Sequence, residues 1–246
     1  MTPIYWMLQH LADVPEGDAW LSPAERAVPG RSWAPKRVRD WRLGRWAAKR
    51  AVLRAGGRAS GDLDLQAYAS VSILATDAGC PRLLENESEG AWALSLSHAD
   101  EHGLCVLARR PAVVGCDVET VGRHAEQFVV DYFTDTERGS LDSAADAGEW
   151  SRLVTTIWSA KESALKALGV GLRMDTRQVE VELSIDRLRT PGPGLPTADS
   201  GRRTGEEWSP FVVRSSGRSF RGWSRPCGDQ VLTMVADPPP AVPIAL

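Results

Sequence analysis

The stretch that most constrains the fold is Val113–Thr120, VVGCDVET, an apolar run that ends in two carboxylates. Its length and β-branched content predict a buried strand. Successive side chains of a strand point to opposite faces, so Asp117 and Glu119 lie side by side on one face. Two like charges in that position repel each other unless an opposite charge lies on the pair. The opposite charge must therefore come from outside this strand.

Composition bounds the class of protein. The 246 residues are 43% hydrophobic and 25% charged, which suits one large globular domain or two small ones with ample core. The N-terminus has no basic segment followed by an apolar one, and no run of about 18 apolar residues occurs. We therefore expect a cytoplasmic protein that does not bind membranes. The cysteines form no CxxC pair, which favours buried free thiols over disulfides or a zinc site.

The net charge of −3 conceals a strongly basic segment. Residues 26–58 carry eleven Lys or Arg against one acid, Asp40, so this segment is +10 and the remainder is −13. Such a block is either a solvated helix face or the place where an anionic ligand binds. Two observations argue against nucleic acid as that ligand: the pI is near 5.9, and the rest of the chain lacks interleaved basic and aromatic residues.

The basic segment contains a helical pattern. An apolar stripe and an early proline predict a helix over Pro35–Ala55, which Gly56 would end. Arg42, Arg45 and Lys49 follow one another at steps of three and four residues. Their charged ends are expected to converge, and a ligand with several phosphates would supply the counter-charge.

The middle of the chain predicts strands. Alternating apolar residues, with a short polar loop between the last two segments, favour a hairpin in a small, mostly antiparallel sheet. The segments are Tyr68–Leu74, Ala91–Ser97 and Gly103–Arg109. After Val113–Thr120, Thr134 and Glu137 match a helix capping box, which gives Glu137 a structural role.

The second informative stretch is RLVTTIWSAKESALKALGVGL, whose apolar period predicts a helix that ends at Gly169. Glu162 and Lys166 lie four residues apart on one face, which by itself indicates an ordinary surface ion pair. Together with Asp117 and Glu119, however, Glu162 completes a set of hard oxygen ligands of the kind that Mg²⁺ prefers. A divalent cation on this set would remove the carboxylate repulsion.

The C-terminal part is less informative. It predicts a strand over Arg177–Ser184, a loop over Thr190–Glu207, a strand meander and a frayed tail. A boundary near Arg110–Ala112 would divide the chain into residues 1–110 and 111–246.

Taken together, the motifs resemble the 4'-phosphopantetheinyl transferase superfamily. VVGCDVE followed by WSAKESALKAL is similar to its paired signature, G-[ILVC]-D-x-E and [WF]-[SC]-x-K-E-[SA]-x-x-K. LSLSH, RLGRWAAKRAVL, GCP and YFTDTE agree with the family in its order. The length resembles the monomeric, Sfp-type branch. The resemblance implies an α+β fold of two similar α/β halves related by a pseudo-twofold axis. Each half would pack a small, mostly antiparallel sheet with helices, and the active site would lie in the cleft between them.

The resemblance also implies an activity. Coenzyme A would donate its 4'-phosphopantetheine arm to a serine of an apo acyl or peptidyl carrier protein and release 3',5'-adenosine bisphosphate. Asp117, Glu119 and Glu162 would hold Mg²⁺, or Mn²⁺ in its place. Glu162 would also be the general base, either directly or through a water, and Lys166 would assist at the diphosphate.

The expected coenzyme A contacts form a larger set. Carried over by position, these residues are Lys36, Arg37, Arg45, Lys49, Arg82, Ser97, His98, Lys161 and Lys166. Within this set, Ser97 and His98 would approach the 3'-phosphate, and Lys161 and Lys166 the diphosphate. Where the family often has Lys, this chain has Cys80, for which Arg82 is a candidate replacement.

Two alternatives remain open at this point. One is a Mg²⁺-dependent enzyme that acts on another diphosphate. The other is a noncatalytic relative that binds coenzyme A or a synthase as a scaffold, an alternative kept open by Cys80. The sequence does not select among carriers of fatty-acid, polyketide or nonribosomal peptide assembly.

Overall fold

The structure is a computed structural model, and it describes residues 1–30, 32–58, 64–184, 208–215 and 217–246. Within these residues the helices are α1 (Pro23–Arg26), α2 (Pro35–Ala55), α3 (Leu65–Ala69), α4 (Glu126–Tyr132), α5 (Asp135–Leu141) and α6 (Ala147–Leu168). The strands are β1 (Ile4–His10), β2 (Val71–Ala75), β3 (Pro81–Glu85), β4 (Ser88–Glu89), β5 (Trp92–Ala99), β6 (His102–Arg109), β7 (Val113–Thr120), β8 (Val179–Leu183), β9 (Ser209–Ser215), β10 (Arg218–Cys227), β11 (Gln230–Asp237) and β12 (Ile244–Ala245). The expected mixed α+β class is confirmed.

The strands form three sheets. One has the order β12-β1-β6-β5, the second β7-β11-β10-β9-β8 and the third β2-β3-β4. All pairings within them are antiparallel except that of β1 with β12. Buried residues of the first two sheets pack in one cluster, while α2 covers the first sheet and α6 the second. Among the described residues, none of the helices combines the length and the apolar character that crossing a membrane requires.

Helix α6 lies unusually close to β7, and Gly115 is the reason. A Cβ atom at Gly115 would come within 1.9 Å of the Ser163 carbonyl oxygen and 2.7 Å of the Ala167 amide nitrogen. Any side chain there would therefore push the helix away from the strand. The glycine brings the carboxylates of β7 next to the face of α6 that carries Glu162 and Lys166.

A buried Lys–Glu ion pair occurs twice in the same arrangement. Glu25, in the capping box of α1, lies 2.6 Å from the Lys49 ammonium on α2. Glu137, in the capping box of α5, lies 2.8 Å from the Lys161 ammonium on α6. All four side chains are fully buried. Each glutamate also accepts a backbone N–H of a nearby strand, from Ile73 in β2 and from Val181 in β8.

Most predicted elements are found, with clear exceptions. The helix predicted over residues 35–55 and the strand over 113–120 are confirmed with the same bounds. The strand predicted from Tyr68 was wrong at its start, since Asp64 caps α3 and the strand begins at Val71. The loop predicted over residues 190–207 lies outside the described residues.

The C-terminal tail is not frayed, which corrects the prediction. Its strand β12 pairs with β1, and Thr2 forms a bridge with Pro240. The tail thus joins the sheet of the N-terminal strands, whereas β7 joins that of the C-terminal strands. The division into residues 1–110 and 111–246 stays a prediction.

Candidate active site

Four polar side chains meet where β5, β7 and α6 come together. The Ser97 hydroxyl donates a hydrogen bond of 2.7 Å to Asp117 Oδ1. The Lys166 ammonium donates to the same oxygen at 2.7 Å and to the Ser97 hydroxyl at 3.0 Å. Glu162 Oε2 lies 3.8 Å from the same ammonium group. The structure therefore brings together Ser97, Asp117, Glu162 and Lys166, which the sequence predicted as site residues.

The electrostatics of this cluster reflect burial and crowded negative charge. Burial, and then the charges of Asp117 and Glu162, raise the pKa of Glu119 to about 7. Burial and Asp117 also raise the pKa of Glu162. Burial would lower the pKa of Lys166, but the charge of Asp117 and those of other neighbours outweigh it, so this pKa is raised. The lysine is thus the cation that offsets the carboxylates in this structure.

The carboxylates fit a hard divalent cation. Asp117 is 2% exposed, and its second oxygen, Oδ2, is buried without a hydrogen-bond partner. A buried carboxylate oxygen without a partner is costly, and a cation would satisfy it. In the described part of the chain, no three His, Cys, Asp or Glu side chains already form a metal-binding group. The glutamates therefore have to close on Asp117 for a cation to be held by all three carboxylates.

A cavity of about 750 Å³ lies beside the cluster. Its wall combines cationic side chains with tryptophan, serine and histidine. The described residues that line it are Val28, Trp33, Ala34, Lys36, Arg37, Asp40, Trp41, Gly44, Arg45, Ala75, Gly79, Pro81, Leu96, Ser97 and His98. Because Ser97 lines this cavity and also donates to Asp117, the cationic cavity and the carboxylates meet at one residue.

Three of the predicted cationic contacts line the cavity. Lys36 is exposed and forms a 3.0 Å ion pair with Asp40. The guanidinium carbon of Arg37 lies 4.2 Å from the centroid of the Trp33 ring. Arg45 is more enclosed, and its burial lowers its pKa to about 10 although Glu25 opposes this shift. This group supplies positive charge to one side of the cavity.

Lys49 and Lys161 are absent from the described cavity wall, so their contacts with coenzyme A stay a prediction. Both ammonium groups are held by buried glutamates and by backbone carbonyl oxygens. Moving either one to a ligand would leave a buried carboxylate unpaired. Arg42 forms an ion pair with Asp18, so Arg42 and Lys49 each have a protein partner in this structure, and a ligand shared by the three cations of α2 stays a prediction.

Arg82 and Cys80 have other neighbours. The Arg82 side chain is about half exposed, its Nε lies 4.0 Å from Glu89, and it is absent from the described cavity wall. The Cys80 sulfur lies near Gly169, where a Cβ would come within 3.5 Å of it. The role of Arg82 as a replacement for the lysine expected at position 80 stays a prediction.

Sequence reasoning missed two structural residues and two aromatic ones. Trp33 and Trp41 form part of the cavity wall, a position that no sequence pattern indicates. Glu25 was detectable, because Ser22 and Glu25 form the same capping signature as residues 134 and 137. The close approach at Gly115 depends on a helix 48 positions away, from residue 115 to residue 163, and no local pattern indicates it.

Comparison with known proteins bears on the second half of the chain. No curated protein matches the sequence. The family model of the 4'-phosphopantetheinyl transferase superfamily matches residues 113–203. This segment contains β7 and α6, which carry Asp117, Glu162 and Lys166. In its residues 113–203, the chain is therefore similar to the 4'-phosphopantetheinyl transferase superfamily.

Proposed function

We propose that the protein transfers 4'-phosphopantetheine from coenzyme A to a serine of an apo acyl or peptidyl carrier protein and releases 3',5'-adenosine bisphosphate. One observation carries the proposal: Ser97 belongs both to the cationic cavity and to the hydrogen-bonded cluster of Asp117 and Lys166. A ligand with a phosphorylated nucleotide in the cavity would place its diphosphate against that cluster. The family match over residues 113–203 supports phosphopantetheine transfer as the class of chemistry.

The cavity suits the nucleotide end of coenzyme A. Arg37 and Arg45 line it and form no ion pair among the described residues, so their charges are available to phosphates. His98 is exposed at the end of β5 and follows Ser97 directly. These contacts position the substrate, and positioning supplies much of the rate in phosphoryl transfer.

Asp117, Glu119 and Glu162 would hold Mg²⁺, or Mn²⁺, which fits the partnerless Oδ2 of Asp117. When bound, the cation would neutralise charge on the diphosphate oxygens. The Lys166 ammonium donates a hydrogen bond to Asp117 Oδ1, the oxygen next to this cation position. It would therefore lie close enough to a bound diphosphate to donate a hydrogen bond to it. It would stabilise the negative charge that develops on the leaving phosphate.

The carrier serine loses its proton as its hydroxyl oxygen attacks the phosphorus that bears the pantetheine arm. The bond from this phosphorus to the bridging oxygen breaks, and the electron pair leaves with 3',5'-adenosine bisphosphate. Glu162 would accept the serine proton, directly or through a water, because its carboxylate lies beside Lys166 at the cluster.

The proposal extends to the Sfp-type branch, with two similar halves, a cleft between them and a monomeric protein. The repeated pairs Glu25–Lys49 and Glu137–Lys161 support the two similar halves. Each ion pair joins the first turn of a short helix, α1 or α5, to a long helix, α2 or α6, that carries candidate site residues. In both pairs the acid precedes the lysine by 24 positions, from 25 to 49 and from 137 to 161.

The test is the intact mass of apo carrier proteins after incubation with this protein, coenzyme A and Mg²⁺. We expect a phosphopantetheine adduct on the carrier serine, and we expect EDTA or Glu162→Gln to abolish it. Coenzyme A bound without transfer to carriers of fatty-acid, polyketide and nonribosomal peptide systems would overturn the proposal. Hydrolysis of another diphosphate without carrier labelling would overturn it as well.

A further inference from the structure

The cavity wall contains two buried N–H donors that have no acceptor. Trp41 Nε1 and Arg45 Nε are closed to solvent and form no hydrogen bond with any described residue. Both residues line the cavity, and Trp41 is only 8% exposed. Folded proteins rarely leave a buried donor unpaired, because its desolvation is not compensated. At a cavity wall, a ligand can supply the missing acceptor.

The two donors belong to one place on α2. They lie one helical turn apart, at positions i and i+4, so their side chains are neighbours. The guanidinium carbon of Arg45 lies 4.7 Å from the centroid of the Trp41 ring. Several oxygen atoms in one acceptor group, and a negative charge beside the arginine, would favour binding to both donors. A phosphate group has both properties.

We propose that Trp41 Nε1–H and Arg45 Nε–H together hold one phosphate group of coenzyme A, which makes Trp41 a ligand-binding residue. This inference rests on the proposed function, since coenzyme A supplies the phosphate, either at the 3' position or in the diphosphate. Both donor atoms are closed to solvent in the ligand-free structure. The Arg45 side chain, which lies over the indole, therefore shifts when the phosphate binds.

The chain offers a matched control for the loss of an indole N–H. Trp46 lies on the same helix, is 6% exposed and also has an Nε1 atom without a partner. It packs against Trp20 and Tyr68 in the core and is absent from the described cavity wall. Trp46→Phe therefore repeats the chemical change of Trp41→Phe at a distance from the ligand.

The experiment measures coenzyme A binding to the wild type and to both variants by calorimetry. A hydrogen bond to a charged group predicts that Trp41→Phe weakens binding roughly tenfold or more. Trp46→Phe should stay within about twofold of the wild type. If Trp41→Phe loses affinity for coenzyme A but not for 3'-dephospho-coenzyme A, the contact is to the 3'-phosphate. An equal loss with both ligands assigns it to the diphosphate.

Unchanged affinity in Trp41→Phe, or an equal loss in Trp46→Phe, would overturn the inference and leave the proposed function standing. A wild type that binds no coenzyme A would overturn the proposed function as well. Nuclear magnetic resonance of the ¹⁵N-labelled wild type gives an answer even if Trp41→Phe fails to fold. Coenzyme A should shift the assigned indole N–H signal of Trp41 and leave that of Trp46 in place. A Trp41 signal that does not move would refute the contact.

Discussion

Replacement of Lys161 by methionine tests whether this residue anchors α6 or binds the ligand. The change leaves the Glu137 carboxylate fully buried without its cation, although it still accepts the backbone N–H groups of Thr134 and Val181 at 2.8 Å and 2.7 Å. Removing one partner of a buried ion pair costs about 3–5 kcal/mol. For a protein of this size that corresponds to a fall in Tm of roughly 6–20 °C.

The assay is urea unfolding of the metal-free protein, with two comparison variants. Lys49→Met removes the equivalent partner of Glu25 and should destabilise the protein by a similar amount. Arg214→Met breaks the exposed pair with Glu182 and should change the free energy of unfolding by less than about 1 kcal/mol. A Lys161→Met protein as stable as Arg214→Met, with weakened coenzyme A binding, would refute the anchoring role and restore the ligand contact.

Three further predictions concern the site and His124, whose Nε2 lies 2.9 Å from the Thr155 hydroxyl on α6. Gly115→Ala should destabilise the protein by about 1–3 kcal/mol or more and abolish transfer, because the added methyl group displaces Ser163 and the rest of α6 from β7; an active, equally stable variant would contradict this. Lys166→Met should lower the Tm without metal, and Mg²⁺ should raise that Tm more than it raises the wild-type Tm, since the carboxylates then lack the ammonium group that offsets their charge; equal Mg²⁺ effects would contradict this electrostatic coupling. Burial lowers the pKa of His124 below 6.5, so the folded protein prefers the neutral ring and loses stability as the pH falls through 6.5; urea unfolding at pH 7.5 and 5.5 should show a smaller loss for His124→Gln, and an equal loss would assign the effect to other groups.

The long helices and the metal-ligand candidates could be predicted because their signals are local. Helical periodicity with proline at the start and glycine at the end gave Pro35–Ala55 its correct bounds. The two-residue alternation of a strand put Asp117 and Glu119 on one face. The i, i+4 spacing put Glu162 and Lys166 on one face of α6, and the fold brings the Lys166 ammonium within 2.7 Å of Asp117.

The partners of the buried lysines could not be predicted in the same way. Lys49 follows arginines at helical spacing and therefore reads as part of a cationic face, but its side chain turns to Glu25 in the core. That choice depends on where α1 packs, which is a long-range property of the fold. The C-terminal tail was mispredicted for a similar reason. Ile244 and Ala245 are too few to show the alternating pattern of a strand, and they form one by pairing with β1.

The most direct test of the central claim is a crystal structure of the protein with coenzyme A and Mg²⁺. We expect the nucleotide in the cavity lined by Arg37, Arg45 and His98, and the diphosphate beside Lys166. We also expect a cation bound to Asp117. Coenzyme A bound away from this cavity, or a diphosphate that contacts neither Lys166 nor a cation on Asp117, would contradict the account.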